Sequence, residues 1–171
     1  METRWRLACL ACLVVLLLSP SGDAGSANDL ANVGKLERAA ASGIVTLTNA
    51  VRARQSLPEL AVNPRLTTAA ERYAAAMAGQ DRFDHIGADG STFIDRAEAA
   101  GYLGWAYLGE NLAWGAGHPE PAGILAGWLG SPGHRDNLLS PTLQETGVGC
   151  YLRSQPEARF WCVQAFGTPR Y

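Results

Sequence analysis

"TGVGCYLRSQPEARFWCVQAFG" (residues 146–167) is the stretch from which the fold is read. Apolar and small residues alternate on both sides of a polar centre, Ser154 to Glu157, which contains Pro156. Alternation of period two around a turn-forming centre is the pattern of a β-hairpin. Centring the turn on Pro156 places Cys150 opposite Cys162, Tyr151 opposite Trp161 and Leu152 opposite Phe160. Directly opposed residues of an antiparallel pair have Cβ atoms about 4.5–5.5 Å apart, near the range a disulfide spans. A cross-strand bridge is therefore feasible at a non-hydrogen-bonded position. A pair of free buried thiols is the alternative.

Upstream of this hairpin the chain reads as helices and loops, without internal repeats. Residues 28–43 form an N-terminal arm with helical spacing of Leu30, Val33, Leu36 and Ala40, separated by Gly43 from the next element. A first helix runs from Ile44 to Gln55, with Ile44, Leu47, Val51 and Arg54 near one stripe and Pro58 beyond its end. A second opens at Asn63-Pro64, a cap residue followed by Pro at the first helical position, and ends at Gly79. Its inner face is Leu66, Ala70, Tyr73 and Met77. A third is capped by Ser91 or starts from Thr92, and stops at Gly101. A fourth starts near Pro119 and carries Ile124, Leu125 and Trp128 before Ser131-Pro132 breaks it. The apolar segment from Leu112 to Trp114 supplies a further strand. Helices around a small antiparallel sheet make the class α+β, a three-layer sandwich with helices on both faces. The hairpin argues against an all-α bundle.

The first residues speak to compartment. Arg4 and Arg6 precede an apolar run from Leu7 to Leu18, followed by Ser19-Pro20 and small residues through Ala27. That is the layout of a signal peptide over residues 1–27, with cleavage after Ala24 or Ala27; the run is too short to span a bilayer. An uncleaved anchor is the alternative. Cys9 and Cys12 lie before or within the apolar run, not at its end where a lipid-modified cysteine would stand. Cleavage after Ala24 removes two of the 14 basic and two of the 16 acidic residues, so the net charge stays at −2. Such a balance lacks the clustered positive charge that nucleic acid or an anionic membrane would select. Cleavage also removes two of the four cysteines, leaving Cys150 and Cys162, and an even pair in an exported chain reads as a disulfide. The expected location is extracytoplasmic, in a periplasm or outside the cell, with no membrane span after cleavage.

The polar segments come in a definite order: "TNAVRARQSLPELAVNPRLTTAAERYA" (48–74), "RFDHIGADGSTFIDRAEAAGY" (82–102), "YLGENLAWG" (107–115), "GWLGSPGHRDNLL" (127–139), then "GVGCYL" (147–152) and "FWCVQAFG" (160–167). This series resembles the CAP superfamily, the cysteine-rich secretory and plant pathogenesis-related type 1 proteins, and in particular its short bacterial branch. The resemblance runs from Ile44 to Gly167 and sets a CAP domain at 44–171. It implies an α-β-α sandwich with a central cleft, in agreement with the layout read from patterning. It also implies cleft residues: His85 from "FDH", Glu110 from "GEN" and His134 from "SPGHR". The family's animal and plant members carry a second Glu shortly after a Trp on the helix before the last His. Here Trp128 is followed by Leu129, Gly130 and Ser131, so that carboxylate is missing.

Two imidazoles and a carboxylate are a plausible ligand set for Zn²⁺ or another divalent metal, held by His85 and His134 with Glu110 as a third ligand. A pocket His can also act as a general base. The plain alternative is that the three hydrogen-bond loops together across the cleft. Ser131 lacks the Gly-x-Ser-x-Gly setting of a hydrolase nucleophile, so "SPGHRDNLL" reads as a helix-ending turn that delivers His134, tied down by Asn137 and Arg135. His118, among Gly and Pro, reads as a surface residue. Asp84 and Asp89 lack EF-hand spacing and belong to a turn and to solvent. Trp105, Tyr107 and Trp114 either pack in the core or stack on a sugar or sterol ring. Two function classes remain. One is a monomeric, non-enzymatic binding or envelope-associated module for a lipid, glycan or peptide ligand. The other is a metal-assisted hydrolase of peptide or cell-wall material. The missing Glu and the absence of a recognisable nucleophile favour the first.

Overall fold

The computed structural model describes residues 34–170. The expected signal peptide, residues 1–27, and residues 28–33 of the expected arm lie outside the described residues. Five strands build one sheet: β1 (Gly34–Leu36), β2 (Ala61–Val62), β3 (Trp105–Ala116), β4 (Glu145–Arg153) and β5 (Arg159–Pro169). Their order is β1-β4-β5-β3, with β2 alongside β4. The terminal hairpin has the register expected from its turn: Cys150 faces Cys162, Tyr151 faces Trp161 and Leu152 faces Phe160. A disulfide joins Cys150 and Cys162, whose Cα atoms are 4.1 Å apart. That spacing is close to the narrow, non-hydrogen-bonded kind of antiparallel pair.

Five helices cover the sheet: α1 (Arg38–Arg54), α2 (Pro64–Gly79), α3 (Phe93–Ala99), α4 (Pro121–Gly130) and α5 (Pro132–Leu138). On one face, Ala70, Tyr73, Ala74, Met77 and Ala78 of α2 pack with Leu112, Trp161 and Val163 of the sheet. Leu66, Ala97 and Tyr102 extend that layer toward α3. On the other face, Ile44 of α1, Ile124, Leu125 and Trp128 of α4 and Leu138 of α5 pack over Val148, Cys150, Cys162 and Phe166. The sheet is thus buried between two helical layers, as the α+β reading required. Gly147 and Gly149 let α2 come down on the sheet: a Cβ at either would collide with main-chain atoms of Thr67 or Glu71.

Several boundaries differ from those read off the sequence. Residues 34–43 are not a separate arm. Gly34 to Leu36 form β1, antiparallel to β4, and α1 begins at Arg38 and runs through Gly43. Gly43 is there for packing, since a Cβ would stand 2.9 Å from Pro121 Cγ at the start of α4. The buried stripe of α1 is Ala40, Ile44, Thr48 and Arg52, in place of one through Leu47, Val51 and Arg54. Arg52 is 1% exposed and donates to the carbonyls of Pro58, Leu138, Ser140 and Leu143. A guanidinium can be buried here because it spends its donors on chain carbonyls that would otherwise lack partners.

α2 starts where expected, with Asn63 Oδ1 accepting from the Arg65 amide at 2.9 Å. α3 is capped by Thr92, not Ser91, through a reciprocal box with Asp95. "SPGHRDNLL" is more than a helix-ending turn. Ser131 breaks α4 with an extended conformation, and Pro132 then opens α5, on which His134 stands. Pro is compatible with the first position of a helix, because no intrahelical acceptor awaits its missing N–H. β3 is far longer than the Leu112–Trp114 segment that alone looked strand-like. Its buried polar pair, Glu110 and Asn111, masks the apolar alternation by which a strand is recognised.

Candidate functional site

Consecutive residues of a strand point to opposite faces, and the pair Glu110-Asn111 in β3 uses both. Glu110 turns toward the α2–α3 side. Its side chain is 4% exposed, with Oε1 2.8 Å from His85 Nδ1 and Oε2 2.9 Å from Arg96 Nη2. Arg96, in α3, also donates to the carbonyl oxygens of Ser91 at 2.8 Å and His85 at 3.0 Å. Its guanidinium lies 3.4 Å above the centre of the Tyr73 ring, a cation–π contact. Tyr73 Oη in turn donates to the carbonyl of Asp84. One arginine therefore ties α3, α2, β3 and the segment bearing His85 into a single unit. The bond to Glu110 raises the His85 pKa above its ordinary value of 6.5, against the opposing effect of burial.

Asn111 turns the other way, toward α5. Its Nδ2 donates to the main-chain oxygen of His134 at 3.1 Å. Asn137 Nδ2 donates to Asn111 Oδ1 at 2.9 Å and to the Glu110 carbonyl at 3.3 Å. Trp128 Nε1 donates to the Leu112 carbonyl at 2.8 Å. These bonds fasten α4 and α5 to the outer edge of β3 and place His134 beside it. The expected anchoring role of Asn137 is present. The imidazole of His134 has no hydrogen-bond partner among the described residues. Burial pulls its pKa below 6.5, and the charge on His85 adds to the effect.

The three-ligand metal set does not form. Among the described residues no group of three His, Cys, Asp or Glu side chains is placed to hold a metal ion. The physical reason is that Glu110 has one oxygen on His85 and the other on a guanidinium, which repels a cation. Two imidazoles remain. Because Glu110 engages Nδ1 of His85, its Nε2 is the nitrogen left for a ligand, and His134 offers an imidazole biased toward the neutral form.

Beside His134 lies an open groove of about 420 Å³, walled by Phe83, Trp114, Phe160, Ile124 and Trp128. Trp114 is 50% exposed and Phe83 43%. Their rings are tilted by 43° with centroids 6.0 Å apart. Core packing therefore fails as an account of Trp114, and also of Tyr107, which is exposed. Trp105 is half-buried at the surface, with Nε1 on Glu98 at 3.0 Å. Ser131 lines the groove, but no hydrogen bond joins it to His134. Asp84 pairs with Arg82 at the surface, and Asp89 accepts the Ser91 amide in a turn. His118 stands at the surface ahead of α4. Arg96 escaped sequence reasoning entirely. Nothing in its spacing separates it from exposed arginines, and its partners are distant in sequence.

Comparison with known proteins gives this geometry a family. The model of the cysteine-rich secretory protein family, CAP, matches residues 45–166. The chain belongs to the CAP family. This CAP domain is 32% identical over 124 residues to the protein YkwD of Bacillus subtilis (strain 168), covering 72% of this chain and 46% of that one. The membrane protein YlbC of the same organism is 28% identical over 115 residues, covering 67% and 32% respectively. The chain thus spans less than half the length of these relatives. Among solved structures, an extracellular SCP-domain protein of Bacillus anthracis str. Ames shares 30% identity at a TM-score of 0.65, over 77% of this chain and 41% of that one. An outer surface protein of Borrelia burgdorferi shares the fold at a TM-score of 0.69 and 20% identity, over 80% and 99%. No helix of the described residues is long and apolar enough to cross a membrane.

Proposed function

We propose that this CAP domain is exported and acts as a non-enzymatic binding module whose ligand lies in the groove along β3, between Trp114 and His134. The observation that carries this reading is the half-exposed aromatic wall of Phe83 and Trp114 facing a groove whose imidazole has no internal partner. Exposed aromatic faces flanked by polar groups suit ring-shaped ligands that stay partly hydrated. A glycan therefore fits better than an acyl chain, which seeks an enclosed apolar cavity. Export rests on the charged and apolar pattern of residues 1–27, and the extracellular relative of Bacillus anthracis is in keeping with it.

The test is titration calorimetry of residues 28–171 with N-acetylglucosamine oligomers, alongside Trp114→Ala and His134→Ala. Saturable binding that weakens about tenfold or more in Trp114→Ala is the expected result, since truncating a tryptophan that anchors a ligand costs about 2 kcal/mol or more. Binding unaffected by Trp114→Ala, or absent from the wild type, overturns the glycan reading.

A second reading is favoured by the two imidazoles, whose Nε2 (His85) and unpartnered ring (His134) are free for a divalent metal, which would serve a hydrolytic reaction on peptide or cell-wall material. Zn²⁺ titration of the wild type and of the His85→Ala/His134→Ala double variant tests it. Micromolar binding lost in the variant supports a metal cleft; no binding, or binding unchanged by the substitutions, removes the metal-assisted hydrolase.

A further inference from the structure

We infer that Arg96 is a positioning residue of the cleft: by claiming one oxygen at position 110 it fixes how that side chain is turned, and so which of its atoms meets His85 Nδ1. This rests on the reading of the His85 side of β3 as part of a functional cleft, but the test does not. A neutral imidazole carries one proton, and the hydrogen bond at one nitrogen determines which nitrogen holds it. The Glu110 carboxylate only accepts, so His85 must present Nδ1–H to it and leave Nε2 bare. Which atom of the position-110 side chain meets Nδ1 is set by how that side chain is held, a distinction that an amide exposes and a symmetric carboxylate hides. Its side chain is almost fully buried, and Oε2 is claimed by Arg96 at 2.9 Å. Arg96 cannot yield easily. It is pinned by the carbonyls of Ser91 and His85 and by the face of Tyr73. A guanidinium has donors and no acceptor, so whatever occupies position 110 must turn an oxygen toward it.

Glu110→Gln exposes this hierarchy, because an amide has one oxygen and one NH₂. If Arg96 commands the oxygen, the NH₂ faces His85 Nδ1, which must then accept, and the proton moves to Nε2. No covalent bond changes between heavy atoms; the proton is exchanged through solvent. The wild type should therefore show the Nδ1–H form of neutral His85, and Glu110→Gln the Nε2–H form. In Arg96→Met/Glu110→Gln nothing constrains the amide, its oxygen can turn to His85, and the forced Nε2–H preference should vanish. A hydrogen bond to a charged group sustains about a tenfold excess of one tautomer, so the Nδ1–H to Nε2–H ratio should invert by a comparable factor between wild type and Glu110→Gln.

The measurement is long-range ¹⁵N–¹H correlation of the His85 ring in the ligand-free protein, at alkaline pH where imidazole is neutral. Arg96→Lys/Glu110→Gln keeps a donor at position 96 and should behave like Glu110→Gln, which also covers the case in which the methionine variant does not fold. A purely structural role for Arg96 would lower stability and leave the tautomer of Glu110→Gln in the Nδ1–H form. That result, or identical tautomer ratios in Glu110→Gln and Arg96→Met/Glu110→Gln, overturns the inference. Because no ligand is present, failure of glycan or metal binding would count against the proposed function and leave this readout unaffected.

Discussion

His85 donates to a carboxylate that a guanidinium has already locked in place, whereas the side chain that reaches His134 takes its main-chain oxygen, and its ring has no hydrogen-bond partner among the described residues. Both stand at the outer edge of β3, each served by one residue of the Glu110-Asn111 pair. The His85 side is a charged network, with burial, an ion pair and a cation–π contact. The His134 side is neutral, built from amides, a tryptophan N–H and, behind them, the carbonyls gathered by Arg52. One strand can in this way fix one imidazole and leave the other available. The bond to Glu110 favours protonation of His85, while burial opposes protonation of His134.

Breaking the charged side should have the largest effect. Arg96→Met leaves the buried Glu110 carboxylate without its cation, and removal of one partner from a buried pair costs about 3–5 kcal/mol. Chemical denaturation measures it; a loss under about 1 kcal/mol would mean that the pair behaves as a surface ion pair. Arg52→Met strips partners from four carbonyls, including those of Leu138 and Leu143 at and beyond the end of α5. The expected loss is about 3 kcal/mol, with faster amide exchange in residues 132–143. Asn137→Ala removes the clasp on Asn111 and on the Glu110 carbonyl. We expect about 1–2 kcal/mol by denaturation and broadened resonances in α5, with the His85 ring signals unchanged.

The two histidines should also bend the pH profile of stability in opposite directions. His85 binds its proton more tightly when folded, so its contribution is complete below pH 6.5 and is lost as pH rises through the raised folded value. His134 binds its proton less tightly when folded. Its contribution is present above pH 6.5 and is lost as pH falls through the lowered folded value. The stability of the wild type relative to His85→Gln should therefore fall with rising pH, and that relative to His134→Gln should fall with falling pH, from near zero at neutral pH to a deficit. Parallel curves would erase the contrast. Smallest of all, His134→Ala at neutral pH should change stability by within about 0.5 kcal/mol, because no internal bond of the ring is lost.

The parts of the molecule legible in the sequence are those governed by local rules. Alternation around Pro156 set the register that brings Cys150 to Cys162, and Asn63-Pro64 marked the start of α2 to the residue. The order of the motif segments pointed to the family and to His85, Glu110 and His134. The guanidinium that holds Glu110 was not legible, because Arg96 comes from a helix whose periodicity carries no sign of the contact. β1 was missed because three residues are too few to show a period, and the start of α1 because Gly43 looks like a break until Pro121 is seen against it.

Local pattern in the chain was thus enough for the class of the fold, the pairing of its terminal strands and the cap of α2. Those features depend on hydrogen bonds and side-chain directions repeating over a few neighbouring residues. Packing in three dimensions was needed for the rest: that Glu110 serves His85 and Arg96, that His134 keeps a free ring, and that Trp114 faces solvent rather than the core. Each of these is a competition for one partner among groups far apart along the chain. Its outcome is settled by which donor arrives at the buried oxygen, and that is known only when the layers are packed.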